Sequence, residues 1–288
     1  MIDSQLARRA FLALCLSAYA FVAGAQDKGT PPSSAEFQPE VGQAGKDVVW
    51  VPTPQALVDK MLDMAKATPK DYVIDLGSGD GRTVITAAKR GISALGIEYN
   101  PDMVTLSERA AKKEGVTDRA KFMKADLYGA DLSKATVITM FLLPEINLKL
   151  RPKLLDLKPG TRLVSNSFTM GEWQHDRSVQ ATDKEGCQSY CTAYLWIVPA
   201  KVDGAWKTGE GEVVFKQTFQ MLTGTLKVKG VETQLKGRLN GERITFKAGD
   251  AQYTGQVSGD SIKGTVKSDG GSTEWTATRA SPATTATR

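Results

Sequence analysis

The succession that most constrains this chain is Tyr72-Val73-Ile74-Asp75-Leu76, then Gly77-Ser78-Gly79-Asp80-Gly81, then a helical run from Thr83 to Arg90. The apolar run suits a short buried strand. The glycines after it let the backbone turn sharply and come close to a ligand. The alternation continues downstream. Ala94-Leu95-Gly96-Ile97-Glu98 predicts a second strand ending in a carboxylate, Pro101 starts a helix reaching Glu114, and Ala120 to Lys124 predicts a third strand leading to Asp126. Ala135 to Leu142 is a fourth strand, Pro144 to Leu157 a helix ended by Lys158-Pro159-Gly160, Thr161 to Phe168 a fifth strand and Tyr190 to Val198 a later one. Upstream, Thr53 is placed to cap a helix with Pro54 at its first position, and Leu57, Val58, Met61, Leu62 and Ala65 share one face. Strands alternating with helices imply βαβ units, so residues 47–200 read as an α/β domain with a doubly wound, mainly parallel sheet.

Residues 201–279 differ in texture: Gly-rich, nearly free of Pro and strand-like. Gly237 to Ile244 is echoed by Gly255 to Ile262 at an offset of 18, and the turn signals Asn240-Gly241 and Gly259-Asp260 suit hairpins. The expectation is a small antiparallel all-β domain of about six strands, a sandwich or partial barrel. Residues 280–288 are a tail.

At the other end, residues 1–25 read as an export signal peptide. Arg8-Arg9 form its basic start, Ala10 to Gly24 is uncharged and mostly apolar, and Ala23-Gly24-Ala25 offers a small-residue cleavage pattern, so the mature chain begins near Gln26. Arg8-Arg9-Ala10-Phe11-Leu12 also resembles a twin-arginine signal. The expected location is outside the cytosol, in the periplasm; the alternative is an uncleaved segment that anchors the protein to the membrane. Leu14 is too large for a lipoprotein cleavage site, which assigns Cys15 to the removed peptide. Residues 26–46 are polar with Pro, Gly and Ser throughout, the composition of a flexible linker. No apolar run reaches the ~18–20 residues of an ordinary membrane span.

Composition narrows the chemistry. A single histidine argues against a His-rich metal centre and a Ser-His-Asp hydrolase, and three cysteines exclude a disulfide-dense scaffold. The net charge of +5 comes with both signs interspersed and gives no indication of a nucleic-acid partner. The glycine loop itself is G-x-G-x-G followed by Arg82, where a pyrophosphate-binding fingerprint needs a further glycine. Asp75 before the loop suits a cationic ligand group better than a phosphate. Glu98 can accept ribose hydroxyls, and Asp126 can meet an adenine amino group. The ligand so described is an adenosine carrying an amino-acid tail and no phosphate.

With those residues in view, the chain resembles the class I S-adenosylmethionine-dependent methyltransferases over residues 47–200. The residues that carry the resemblance are Val73 to Arg82, Gly96-Ile97-Glu98-Tyr99-Asn100-Pro101 and Lys124-Ala125-Asp126-Leu127. Val51-Pro52-Thr53-Pro54 upstream, with the Glu-x-Asn-Pro element, is similar to the small lysine methyltransferases related to the one that modifies the ATP-synthase c-subunit. The resemblance implies a Rossmann-like methyltransferase sheet and S-adenosyl-L-methionine as co-substrate, with no metal. By position, Asp75, Gly77 and Gly79 cradle the methionine moiety, Glu98 holds the ribose, Asp126 lies near the adenine and Thr53 closes over the cofactor. Ser78, Gly81 and Tyr99 complete the cofactor-binding set. No general base is evident; Trp50, Phe141 and Thr53 are the candidates for the reacting end of the pocket. Phe141-Leu142-Leu143-Pro144 departs from the Asn/Asp-Pro-Pro-aromatic ending of other amino-methylating enzymes, which argues against a nucleobase acceptor.

The implied activity is direct methyl transfer to an amine, with a protein lysine the leading acceptor. A small-molecule N- or O-methyltransferase and a non-catalytic adenosine-binding protein that uses the β domain for interaction stand as alternatives. His175, in a polar loop, reads as solvated. Cys187 and Cys191 can bond only if the chain turns between them, since four residues of straight strand at ~3.3 Å each hold them too far apart.

Overall fold

The computed structural model of the protein describes residues 37–209 and 211–280. The expected signal segment, residues 26–36 of the expected linker, and the tail from 281 on lie outside the described residues.

The first half builds on strands β1 (Tyr72–Leu76), β2 (Ser93–Glu98), β3 (Ala120–Lys124), β4 (Val137–Met140) and β5 (Arg162–Asn166). Helices α1 (Gln55–Met64), α2 (Arg82–Lys89), α3 (Pro101–Lys113) and α4 (Pro144–Leu155) intervene. Two further strands, β6 (Arg177–Gln180) and β7 (Thr192–Ile197), complete a seven-stranded sheet of order β3-β2-β1-β4-β5-β7-β6. β1 to β5 pair in parallel, while β7 runs antiparallel to both β5 and β6. Each central strand is buried on both faces: Val73, Val137 and Val164 belong to one cluster, Ile74, Leu76, Ile138 and Leu163 to the other. Near-continuous apolar runs are what such two-sided burial requires. α3 starts where the sequence says it must, with the Asn100 side chain accepting from the Asp102 N–H at 2.9 Å and Pro101 as first residue.

The cap expected at Thr53 is not formed. α1 is capped by Pro54 without a side-chain bond, and the Thr53 hydroxyl instead accepts from Asn166 Nδ2 at 3.2 Å. β6 was not anticipated; its exposed Arg177-Ser178-Val179-Gln180 lacks an apolar pattern because it is the sheet's edge strand. The strand expected from Tyr190 begins at Thr192, because Cys187 and Cys191 form a disulfide that bends the chain before it. A short 3-10 turn, Asp183–Glu185, leads into that bend.

The second half is a closed antiparallel barrel of eight strands: β8 (Gly204–Thr208), β9 (Gly211–Thr218), β10 (Met221–Val228), β11 (Val231–Asn240), β12 (Arg243–Ala248), β13 (Ala251–Ser258), β14 (Ser261–Ser268) and β15 (Gly271–Arg279). This corrects the expected count of six and the open or sandwich form. Short turns fit more strands into the segment, and β15 pairs with β8 to close the circle. Closure leaves no unpaired edge, and a barrel of this size is filled by side chains: here Trp206, Phe215, Phe246 and Leu239. The 18-residue echo corresponds to alternate hairpins, turning at Gly241 between β11 and β12 and at Gly259 between β13 and β14.

The two halves touch. Phe219 stacks on Trp173 with centroids 5.8 Å apart, Gln220 Nε2 donates to the Gln174 carbonyl at 2.8 Å, and Arg238 pairs with the nearly buried Asp176 at 2.6 Å.

Candidate active site

The direction of winding reverses between β1 and β4, and ligands of open α/β sheets bind at the carboxyl ends of strands flanking such a point. A cavity opens there, lined by Asp75, Gly77, Ser78, Gly79, Glu98, Tyr99, Asp126 and Phe141 among others. Thus the cofactor residues read from the sequence meet in one place, with Gly81 packed just behind it.

β1 delivers Asp75. Its side chain is buried, and the Thr139 hydroxyl donates to Oδ1 at 2.6 Å because the parallel register sets Asp75 beside Thr139. Burial pushes the Asp75 carboxyl up to about 7; the Thr139 and Thr83 hydroxyls oppose that, while the like charges of Asp80 and Glu98 reinforce it. A cationic ligand group would reverse the imbalance.

The loop glycines differ in role. Gly77, Gly79 and Gly81 all have φ between 54° and 78°, where only glycine is unstrained. A β-carbon at Gly81 would stand 2.7 Å from the Phe122 ring and 2.8 Å from Ser107, so Gly81 serves close packing on β3 and α3. At Gly79 it would stand 2.6 Å from Trp50 Nε1: the indole lies directly on the loop. The Ser107 hydroxyl donates to the Gly79 carbonyl at 2.9 Å, fixing the turn. Ser78 Oγ is buried against Gly96 with no hydrogen-bond partner.

β2 delivers Glu98. Its Oε2 accepts from the Gly79 N–H at 2.9 Å, and Oε1 accepts from the N–H groups of Tyr99 and Asn100 at 2.8 and 2.9 Å. A carboxylate has about four acceptor positions, so Oε2 keeps room for a ligand hydroxyl. Asp126, after β3, accepts from the Tyr128 N–H at 2.9 Å and from Lys46 Nζ at 2.7 Å. The hydrogen bond from Lys46 holds the Asp126 carboxyl below its usual range and raises Lys46.

Lys46 was unforeseen, since it falls in the expected linker 26–46. The described part of that linker is not free chain. Ala44 bridges to Val49, the Gln43 to Thr53 segment lines the cavity, and Lys46 Nζ stands 4.9 Å from the Tyr99 ring centre. Arg82 fastens the far end of this segment: it is bound by Asp80 at 2.6 Å and donates to the Thr53 carbonyl at 3.0 Å.

At the other end of the cavity Phe141, after β4, meets Phe168 and Tyr190. Phe141 and Phe168 stack at 6.0 Å, and Tyr190 presents an edge to Phe141 at 5.1 Å. Sequence reading found Phe141 and missed the other two, although an aromatic bracketed by Cys187 and Cys191 was a visible signal. Asn166, which positions Thr53, was also missed. His175 is exposed and lies against Tyr194, outside the cavity. Among the described residues no cluster of three His, Cys, Asp or Glu is arranged to hold a metal ion.

The chain is similar to known proteins over its first half. The sequence profile of the ANTKMT methyltransferase domain matches residues 75–177. A protein-lysine N-methyltransferase of Saccharolobus islandicus is 42% identical over 154 residues, covering 52% of this chain and 94% of that protein. The human lysine N-methyltransferase that acts on the ATP synthase c-subunit is 34% identical over 128 residues, 44% of this chain and 54% of that protein. A solved Salinibacter ruber RNA methyltransferase with bound S-adenosyl-L-homocysteine is 46% identical, covering 53% of this chain and 96% of that one, with a TM-score of 0.49.

Proposed function

Since the chain belongs to the S-adenosylmethionine-dependent protein-lysine methyltransferases, we propose that it methylates the side-chain amino group of a lysine in a protein acceptor. The observation that carries this reading is one cavity that joins the buried Asp75 carboxylate and Glu98 at one end to three aromatic rings at the other.

The residues fit S-adenosylmethionine. Asp75, buried beside two further acids, lacks only a cation and would take the ligand's amino group. The glycine loop presents backbone that no β-carbon shields. Glu98 Oε2 would accept a ribose hydroxyl, and Asp126 would meet the adenine amino group once Lys46 yields to it. When bound, S-adenosylmethionine supplies an electrophilic methyl group on a sulfonium.

The chain's own contribution is alignment and exclusion of water. The segment carrying Trp50 and Thr53 lies over the loop and is clamped by Arg82 and Asn166. An amine surrounded by rings loses hydration, so its pKa falls and the neutral, nucleophilic form is favoured. A dedicated base is therefore not required. Ring faces also attract the ammonium product.

We further infer that the mature protein works outside the cytosol. The signal-like N-terminus supports this, as does the disulfide, which persists in oxidising compartments.

The test of the acceptor class is transfer of labelled methyl from S-adenosylmethionine to proteins of a lysate, followed by mapping of the modified residues. The reading expects label on lysine. Label confined to small molecules or to RNA would replace it.

A further inference from the structure

The hairpin between β6 and β7 carries a feature that methyl transfer alone does not explain. Cys187 and Cys191 are bonded across four residues with Cα atoms 5.8 Å apart, and Tyr190 sits inside the loop they close. Tyr190 has φ +54°. A bulky side chain rarely adopts that left-handed backbone, and it persists only where the surroundings enforce it. The enforcement is visible on both sides. Cys187 is fully buried in the core cluster beneath the sheet, and the Cys187 N–H donates to the Thr182 carbonyl at 3.2 Å. The preceding turn is tied by the Thr182 and Glu185 side chains and by a Lys60–Glu185 ion pair at 2.8 Å to α1. Cys191 is fixed through its carbonyl, which accepts from the Ala181 N–H at 2.8 Å. The disulfide thus pins the loop at both ends, and the residue it forces outward is aromatic.

The ring goes to a particular place. Its centre is 5.1 Å from Phe141 and 6.2 Å from Phe168, and all three rings line the cavity that holds Asp75. Phe141 follows Met140, the partner of Leu76 in the β1–β4 register, so the rings stand beside the start of the glycine loop. Tyr190 keeps 45% of its surface exposed, an unusual share for a ring in a three-ring cluster. Phe141 and Phe168 come from parallel-sheet strand ends and are set by the fold; Tyr190 is set by a covalent bond that can be made or broken.

Building on the lysine reading, we propose that Tyr190 is the movable third wall of the acceptor-amine site, held in place by the Cys187–Cys191 disulfide, so that oxidation assembles the site and reduction opens it. The exchange is balanced by a dithiol. Its thiolate attacks one sulfur, the Sγ–Sγ bond breaks, and two electrons and two protons convert the pair to thiols while the dithiol becomes a disulfide. Cys187 stays in the core, the strained backbone at Tyr190 relaxes, and the ring leaves Phe141. The amine site loses one of its three ring walls; the cofactor end, built on β1 and β2, is untouched.

The test uses the full chain saturated with S-adenosyl-L-homocysteine and, as probe, a short capped peptide with one central lysine, Ac-Gly-Lys-Gly-NH2. Probe dissociation constants are measured by NMR titration, oxidised and after reduction with dithiothreitol, in wild type, Tyr190→Ala and Tyr190→Phe. Circular dichroism confirms folding in each state. Reduction is expected to weaken probe binding about tenfold in wild type, in line with one aromatic–cation contact. Oxidised Tyr190→Ala should match reduced wild type and show no further response to reduction, while oxidised Tyr190→Phe keeps wild-type binding. S-adenosyl-L-homocysteine affinity should be the same in all states. An equal effect of reduction in Tyr190→Ala and wild type overturns the proposal, as does a probe that binds the loaded protein no better with Tyr190 than without it. Failure to bind S-adenosyl-L-homocysteine at all would count against the methyltransferase reading itself.

Discussion

Asp75 gives the ligand-free protein one pH-dependent contribution to stability. Its carboxyl moves from an ordinary value of 3.8 to about 7, chiefly through burial. Between those values the unfolded chain is ionised and the native protein holds a proton. Stability is therefore full below the lower value and is lost as pH rises through the upper one. Asp75→Asn removes that window. In denaturant titrations the variant should gain on wild type as pH rises from 4 to 7, by on the order of 1.4 kcal/mol for each step of one in pH. A constant difference across that range would show that the carboxyl is not perturbed. Gly81 makes a second residue-scale case. With φ +78° and the Phe122 ring 2.7 Å from any added β-carbon, Gly81→Ala should destabilise by about 2–3 kcal/mol. A melting temperature equal to wild type would refute the packing role. Both residues were legible in the sequence, because a strand, a glycine turn and a helix are written in consecutive positions. Asn166 was not legible as a site residue, because it acquires its role from a partner far along the chain: Thr53 is 113 residues from it.

At the scale of elements, the same distinction explains what the sequence reading reached. The alternation of apolar strands with helices is local, and β1 to β5 with α1 to α4 came out near their expected bounds. β6, an exposed edge strand, offers no apolar run to read. Thr53 was misjudged as a cap because helix-start chemistry at Thr53-Pro54 is genuine, but the buried Asn166 amide competes for the hydroxyl and holds it. Segment 43–53 divides between linker and domain in the sequence because residues 43–47 are polar or small, like the linker before them, and their anchor, Arg82, lies far along the chain. That anchor is testable. Arg82→Ala removes the bond to the Thr53 carbonyl and the ion pair with Asp80, which keeps only the backbone N–H of residue 82. Hydrogen exchange should then speed up at least about tenfold at the amides of Gly42 and Trp50, whose partners lie within the segment, with little change in β1 and β4. Uniformly accelerated exchange would mean that Arg82 supports the whole domain and not the cavity's cover.

At the scale of the molecule, the barrel keeps its own main buried cluster and is fastened to the sheet by Phe219, which stacks on Trp173 and packs against the sheet's core, by a hydrogen bond from Gln220 to Gln174 and by a charged pair. Barrel closure escaped the sequence reading because it rests on β15 meeting β8, a pairing that no local alternation signals. The charged pair is unequal: the Asp176 side chain is 4% exposed and Arg238 48%. Burial already raises the Asp176 carboxyl, with Arg238 opposing. Arg238→Ala therefore leaves a buried acid uncompensated and raises it further. The loss, about 1–3 kcal/mol, should be larger at pH 7 than at pH 4, where the acid is more nearly neutral. Denaturant titration at the two pH values checks this, and equal losses would contradict it.

The proposed methyl transfer requires that Asp75 and Glu98 together bind S-adenosylmethionine. Calorimetric titration of the full chain with S-adenosylmethionine, at pH 6 and pH 8, tests it most directly. Because the ligand's amino group pairs with ionised Asp75, binding should be micromolar at pH 8 and weaker at pH 6, with proton release on binding at the lower pH. Asp75→Ala/Glu98→Ala should weaken it at least about a hundredfold, the scale of losing two charged hydrogen-bonding groups. Absence of binding to the folded protein, or binding that the double variant leaves intact, would contradict this role for Asp75 and Glu98.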